Sequence, residues 1–246
     1  MPKLTCPLAG IGLLLLVLPS MAFSGVAFDA QVTLVSKYIW RGFDTIADDR
    51  PAVQPSVTMA FGRSGLWLNL WSAVALADTD FTELDIIAGY DRSLSEHFTF
   101  SLGAGYFTFP SMPHYPDEKS TTPEAYVGMT ACSFPLSPSL TLYYDFNLGD
   151  GVYATLSFGR DFQVKGSHIH SNILVGYTRQ YRSIGVDPGF SDVCLGLSTD
   201  LSFQGVTVTP SISYAIVPNE TINDENEFWV GLSIGWSASR SPDATE

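Results

Sequence analysis

Alternation between apolar and polar residues, repeated along nearly the whole chain, is the feature that most constrains its fold. Residues 97–109 are the clearest case: aliphatic or aromatic residues occupy every second position from Phe98 to Tyr106, with Thr, Ser or Gly between them. Similar segments recur, each roughly ten residues long, the length a tilted strand needs to cross a bilayer. After residue 27 no apolar run reaches the length of a membrane helix. The pattern therefore predicts an all-β transmembrane barrel.

About twelve segments fit the alternation, and ten or fourteen also satisfy it because the alternation is imperfect around Ser72 and Leu174. They lie at 30–41, 52–61, 66–76, 82–92, 97–109, 124–134, 139–147, 152–162, 168–181, 190–201, 206–216 and 227–236. The links after even segments are tight turns, whereas most links after odd segments are longer and more acidic, including Phe43 to Pro51 and the one that starts at Arg182. This predicts a single antiparallel up-and-down barrel over 28–236, with periplasmic termini and outward-facing long loops.

The apolar face also predicts two aromatic bands, since aromatic rings prefer the two membrane interfaces. The predicted outer band contains Tyr38, Trp40, Tyr106, Tyr144, Phe146, Tyr177, Tyr214 and Phe228, and the inner band contains Phe61, Tyr90, Phe98, Phe158 and Trp236.

Residues 1–27 have the pattern of a secretory signal peptide, with Lys3, an apolar run from Leu8 to Leu18 and small residues after it. Cleavage after Ala22 and cleavage after Ala27 both fit, and residues 237–246 form a short polar tail. Export and a barrel together predict a bacterial outer-membrane location. The predicted topology separates Cys132 and Cys194 by four strands, beyond the roughly 7 Å Cα limit for a disulfide, so we expect two free cysteines.

The first third of the chain resembles a known family. Residues 32–42 read VTLVSKYIWRG, residues 50–54 read RPAVQ, and residues 82–90 read TELDIIAGY. These segments resemble the V-S-x-Y-x-x-R-G first strand, the downstream P-A-x-Q and the fourth strand of the TorF-like putative porins of proteobacteria. The resemblance implies an outer-membrane location and a pore, and it carries no substrate.

The polar face should line the barrel interior, because a basic residue facing lipid near the midplane costs about 2–4 kcal/mol. The predicted lumen-lining and selectivity residues are Lys37, Arg41, Gln54, Glu83, Asp85, Glu124, Asp145 and Asp192. Five acids against two bases favour cations. The same groups could instead pair into a network that fills the bore, and Arg41 could hold the loop from Phe43 to Pro51 as readily as it contacts a solute.

The leading hypothesis is an outer-membrane porin-like channel for passive diffusion of small solutes or ions, with a cation preference. One alternative is a plugged structural or adhesive barrel that works through the loops at 110–123 and 217–226. A second is a lipid hydrolase using His168 and His170, but these fall near the inner rim, away from the outer leaflet, and we predict no enzyme activity.

The expected partners are outer-membrane lipids, small solutes and the assembly machinery, which would recognise the C-terminal strand ending at Trp236. No cofactor and no metal site is predicted, since the acidic loop at 219–225 lacks the spacing of a calcium loop. With 25 Asp and Glu against 12 Lys and Arg, the chain is too acidic to bind nucleic acid.

Overall fold

The computed structural model describes residues 25–46, 48–76, 81–110, 120–164, 167–183 and 185–238. The predicted signal peptide, except for its last three residues, lies outside the described residues. So do residues 239–246 of the predicted tail and most of the predicted 110–123 loop.

The described chain folds almost entirely into strands. They are β1 (Val26–Val35), β2 (Ile39–Trp40), β3 (Phe43–Asp44), β4 (Ala52–Phe61), β5 (Leu66–Ala75), β6 (Thr82–Ser93), β7 (Phe98–Thr108), β8 (Thr121–Ala131), β9 (Ser139–Asp145), β10 (Gly151–Val164), β11 (Ser167–Arg179), β12 (Gly189–Phe203), β13 (Val206–Ile216) and β14 (Glu227–Ala238). In this part of the chain, no helix is long and apolar enough to cross a membrane.

Twelve of these strands form a closed barrel in which each strand pairs antiparallel with its neighbours in sequence. Closure is made by β1 and β14, where Val32 pairs with Ile234. The remaining two, β2 and β3, form a separate two-stranded hairpin. The predicted all-β, antiparallel up-and-down barrel of about twelve strands is therefore confirmed.

The outer surface of the barrel is apolar, as a membrane requires. Along β7, the side chains of Phe98, Leu102 and Tyr106 are 38%, 43% and 50% exposed, while Ser101 between them faces the interior. A closed barrel satisfies all its backbone groups internally and can expose such a surface only to lipid. Of the predicted aromatic bands, nine members are outward-facing and well exposed: Phe61, Phe98, Tyr106, Tyr144, Phe146, Tyr177, Tyr214, Phe228 and Trp236.

The first strand is shorter than predicted. It ends at Val35, and residues 36–46, here called the infolded hairpin, turn back into the barrel. Arg41 and Gly42 have φ angles of 53° and 88°, the left-handed pair that a two-residue hairpin turn requires. The placement of Tyr38 and Trp40 in the outer aromatic band was wrong, because the Tyr38 ring packs 5.6 Å from that of Trp71 and is only 7% exposed.

A second segment that was predicted to face outward also enters the barrel. Gln180 and Arg182 have φ angles of 55° and 61° and turn the chain inward after β11. A Cβ at Gly149 would lie 1.7 Å from the Gln180 carbonyl oxygen, so only glycine allows this close approach of two backbones. Arg182 is consequently 6% exposed, and the prediction of an external loop beginning there was wrong.

The two cysteines of the barrel are both free, as predicted. Cys132 follows β8 and Cys194 lies in β12, four strands further round the barrel. Elsewhere the strand boundaries differ from the predicted ones by three residues or fewer.

Candidate functional site

The barrel encloses a cavity of about 650 Å³, which is lined by five of the eight predicted residues: Lys37, Arg41, Gln54, Asp85 and Glu124. A second cavity of about 300 Å³ adjoins the opposite side of the infolded hairpin and includes Asp192. Glu83 and Asp145, at 4% and 0% exposure, are buried inside the barrel. All eight predicted residues therefore point inward, although not into one chamber.

Two arginines bind the same wall carboxylate. Glu124 of β8 accepts hydrogen bonds from Arg41, Nη1 to Oε2 at 3.2 Å and Nη2 to Oε1 at 3.4 Å. Arg182 Nη2 donates to the same Oε2 at 3.4 Å, and its Nε lies 3.7 Å from Asp145 Oδ2. Glu124 and Asp145 are direct cross-strand partners. The two infolded segments are thus held to one patch of wall by charge-assisted contacts. The four residues that make these contacts, Arg41, Arg182, Glu124 and Asp145, are here called the arginine constriction.

Aromatic rings surround the guanidinium of Arg41. Its Cζ atom lies 3.9 Å from the ring centre of Tyr143, 4.3 Å from Trp40, 4.7 Å from Tyr153 and 4.8 Å from Tyr181. Such distances give favourable cation–π contacts, which strengthen when the cation is desolvated. The guanidinium therefore sits in an aromatic cage closed on one side by a carboxylate.

The other predicted acids have separate partners. Tyr38 donates to Glu83 at 3.0 Å, and Tyr153 donates to Asp192 at 2.9 Å. The Oδ1 atom of Asp85 is buried without a hydrogen-bond partner. The predicted acids therefore surround the lumen at several places, and only Glu124 and Asp145 share the arginine constriction.

Lys37 forms its salt bridges with acids outside the predicted set. It binds Glu227 Oε2 at 2.8 Å and Asp49 Oδ1 at 2.6 Å. In the same hairpin, burial raises the pKa of the Asp44 carboxyl to about 6. Ionisation of Asp44 above that pKa opposes burial of the hairpin, whereas the Lys37 ion pairs favour it.

Carboxylates outnumber cations inside the barrel. Among the described residues, six buried carboxylates are Glu83, Asp85, Glu124, Asp145, Asp192 and Glu227. The cations that pair with them are Lys37, Arg41 and Arg182. Counted as fully ionised, six carboxylates and three cations give this set a formal net charge of −3.

Glycines on the lumen face leave room for large rings against the wall. A Cβ at Gly89 would lie 2.3 Å from Cζ2 of Trp67, and one at Gly103 would lie 2.5 Å from Cε1 of Tyr126. Trp67 also donates from Nε1 to Asp91 Oδ2 at 2.8 Å. The two rings therefore pack over glycine backbone, which keeps the cavity beside them open.

Of the two histidines in the lipid hydrolase hypothesis, His170 is bound by carboxylates and not by a serine. His170 contacts Asp161 at 2.8 Å and Asp200 at 3.2 Å. The hydroxyl of Ser171 donates to the carbonyl oxygen of Arg160 at 3.1 Å instead of to a histidine. The geometry gives no support to the lipid hydrolase hypothesis.

Sequence reasoning missed several residues that line the lumen or bind there, namely Tyr143, Tyr153, Tyr181, Arg182 and Glu227. A signal for two of them was present. Tyr143 lies two residues before Asp145, and Tyr153 two residues after Gly151, the cross-strand partner of Asp145. Period-two alternation therefore places both rings on the lumen face. Tyr181 and Arg182 follow the end of β11, where alternation carries no information.

Solved porin structures resemble this fold at low sequence identity. The "KdgM porin" is 12% identical, with a TM-score of 0.55 over 87% of this chain and 99% of that one. The "NanC porin" is 11% identical, with a TM-score of 0.52 over 85% of this chain and 98% of that one. A further structure, "KdgM porin in complex with disordered oligogalacturonate", is 11% identical with a TM-score of 0.52, covering 87% and 99% of the two chains.

No curated protein matches the sequence. The porin-like fold that the TorF-like resemblance implied is confirmed by the structures, whereas the TorF-like name itself stays a prediction. A family model described as "Bacterial protein of unknown function (Gcw_chp)" matches residues 20–240. Because that match covers most of the chain, the protein belongs to the Gcw_chp family of bacterial proteins.

Proposed function

We propose that this protein is an outer-membrane channel for passive diffusion of small solutes or ions, narrowed at one level by the arginine constriction. The observation that carries the proposal is a cavity of about 650 Å³, lined by charged, polar and aromatic side chains, inside a closed barrel whose exterior is apolar. Closed antiparallel barrels with an even strand number and a polar interior are typical of bacterial outer membranes. The predicted signal peptide supports the same location.

The charge of the interior supports a preference for cations. Six buried carboxylates face three cations, and carboxylates lining a pore favour cations over anions. One solved relative was studied with oligogalacturonate, a polyanion. A lumen with excess carboxylates would repel such a chain, so we do not extend that ligand to this protein.

The proposal is tested in planar bilayers separating unequal concentrations of KCl. We expect discrete conductance steps and a reversal potential that favours potassium over chloride. Asp91→Asn removes one carboxylate that lines the cavity at nearly constant shape and is expected to move the reversal potential towards zero. Glu96→Gln is the matched control, because it removes one charge from a side chain that is 85% exposed in a turn.

Two outcomes would count against this function. Folded protein that gives flat current traces would exclude an open channel under those conditions. A reversal potential on the chloride side would exclude the cation preference while leaving the channel.

A plugged structural barrel is the second candidate, and the arginine constriction is the observation that favours it. Glu124 binds both Arg41 and Arg182, so one wall carboxylate secures two infolded segments. If this network never opens, the wild-type protein would be silent in bilayers and its external loops would carry the function. Removal of both arginines distinguishes the two candidates, because it would open a closed channel but would leave a barrel without a pore non-conducting.

A further inference from the structure

The wall of the barrel contains a cation-binding arrangement that does not depend on the infolded hairpin. Glu124, Tyr143 and Tyr153 come from β8, β9 and β10, three adjacent strands. Both carboxylate oxygens of Glu124 accept hydrogen bonds from the Arg41 guanidinium. The two tyrosine rings lie 3.9 Å and 4.7 Å from its Cζ atom. All three belong to barrel strands and not to the hairpin, and Glu124 Oε2 also accepts hydrogen bonds from Arg182 and Tyr181, which lie outside the hairpin.

Arg41 reaches this position at the tip of a very short hairpin. Its two strands pair through Ile39 with Asp44 and Trp40 with Phe43, with Arg41 and Gly42 forming the turn, and Thr45 N donates to the Tyr38 carbonyl oxygen at 3.0 Å. Arg41 therefore resembles a ligand on a tether, because its linkage to the barrel gives it a high effective concentration at the wall.

Two cavities adjoin the same position. Arg41, Trp40 and Tyr143 line both the cavity of about 650 Å³ and the cavity of about 300 Å³. The guanidinium thus stands between two spaces, and a small molecule in either one contacts its surroundings.

The geometry favours a guanidinium over other cations. A planar guanidinium forms two parallel hydrogen bonds with one carboxylate while it stacks on aromatic faces, whereas an ammonium is a compact point charge that makes cation–π contacts without the paired hydrogen bonds or planar stacking. A hard metal ion prefers several oxygen ligands, and two of the three wall groups present ring faces to the bound cation.

We propose that Glu124, Tyr143 and Tyr153 form a binding site for small guanidinium-containing solutes, which Arg41 occupies when no solute is bound. The inference rests on the proposed channel function and specifies a solute class for it. Solute and Arg41 compete for one place, so binding of the solute displaces the infolded hairpin.

The test uses folded Arg41→Ala protein in detergent, titrated with guanidinium chloride in a calorimeter at constant ionic strength. We expect saturable binding by the variant. Wild-type protein should bind at least about tenfold more weakly, because its own arginine competes. Adding Glu124→Gln to the variant should weaken binding by about tenfold or more, since a charged hydrogen-bond partner is lost. Urea, which has a similar planar shape but no charge, should not bind.

Arg41→Gln, which keeps most of the side-chain volume, provides a second vacant-charge variant if alanine prevents folding. The proposal is overturned if the folded variants show no saturable binding, or if wild-type and variant proteins bind guanidinium equally. It is also overturned if Glu124→Gln leaves the affinity unchanged. The binding proposal and the channel function fail separately. Absence of current in bilayers would refute the channel function, whereas binding measured by calorimetry does not depend on transport.

Discussion

Arg41→Ala combined with Arg182→Ala is expected to raise the single-channel conductance several-fold. Both arginines contact Glu124, and Arg182 also lies beside Asp145. Breaking a buried ion pair by removing one partner costs about 3–5 kcal/mol, because the remaining charge is buried without compensation. Entry of water relieves that cost, and water can enter if the infolded hairpin and the Arg182 segment withdraw from the wall. We therefore expect a wider path in the double variant, measured as current steps in planar bilayers.

A matched control removes the same charge from elsewhere in the protein. Arg63 and Arg179 are both exposed, and their replacement by alanine should leave the conductance at the wild-type level. Wild-type conductance in the Arg41→Ala, Arg182→Ala protein would show that the constriction does not limit passage. Absence of current in both variants would favour the plugged barrel.

Leu102→Arg is expected to destabilise the folded barrel by about 2–4 kcal/mol, the cost of a basic side chain facing lipid near the midplane. Leu102 is 43% exposed on the outer surface and lies midway along β7 between Phe98 and Tyr106. Its neighbour Ser101 faces the cavity, so Ser101→Arg places the same charge in water and among carboxylates. The free energy of unfolding, obtained from urea titrations of the barrel in lipid vesicles, measures both effects.

Because Leu102 and Ser101 are adjacent, the two variants differ mainly in the face that the arginine occupies and not in its position along the strand. Ser101→Arg should lose much less stability than Leu102→Arg. Equal losses, or a larger loss for Ser101→Arg, would contradict the assignment of lipid and lumen faces.

Much of the barrel could be predicted because its determinants are local. Each strand carries its own period-two pattern, and tight turns such as residues 62–65 carry glycine where the backbone needs it, with φ angles of 56° at Gly62 and 82° at Gly65. Alternation also assigns each side chain to a face, and Glu83 and Asp145, which it assigns to the interior, are buried in the structure.

The infolded hairpin could not be predicted in the same way. Tyr38 and Trp40 continue the alternation of β1, so the pattern extends the strand past Val35. What ends it is long-range: Tyr38 packs on Trp71 and Phe81, and Arg41 finds Glu124, which lies 83 residues away in sequence. Alternation indicates which face of the sheet a residue occupies, but it carries no information about contacts across the lumen.

The acids were identified as lumen residues, but their partners were not. Lys37 binds Glu227, a residue 190 positions away, and Arg182 follows a strand end where no pattern applied. The electrostatic character of the lumen therefore depends on pairings that only the closed barrel creates.

The central claim is that the infolded hairpin limits passage through an otherwise open polar lumen, and a reversible disulfide tests it most directly. A Cβ placed on Gly42 would lie 3.3 Å from Cβ of Asp192, close to the separation in a disulfide. Gly42→Cys and Asp192→Cys, with Cys132 and Cys194 replaced by serine, would tie the hairpin to β12. Any strain from cysteine at the positive φ of Gly42, and the loss of the Asp192 charge, are common to both redox states of one protein.

The measurement is the current through this one variant in a planar bilayer before and after a reductant is added. The account predicts a low current in the oxidised state that rises on reduction and falls again on reoxidation. A current that is the same in both states, once disulfide formation has been verified by mass spectrometry, would contradict it.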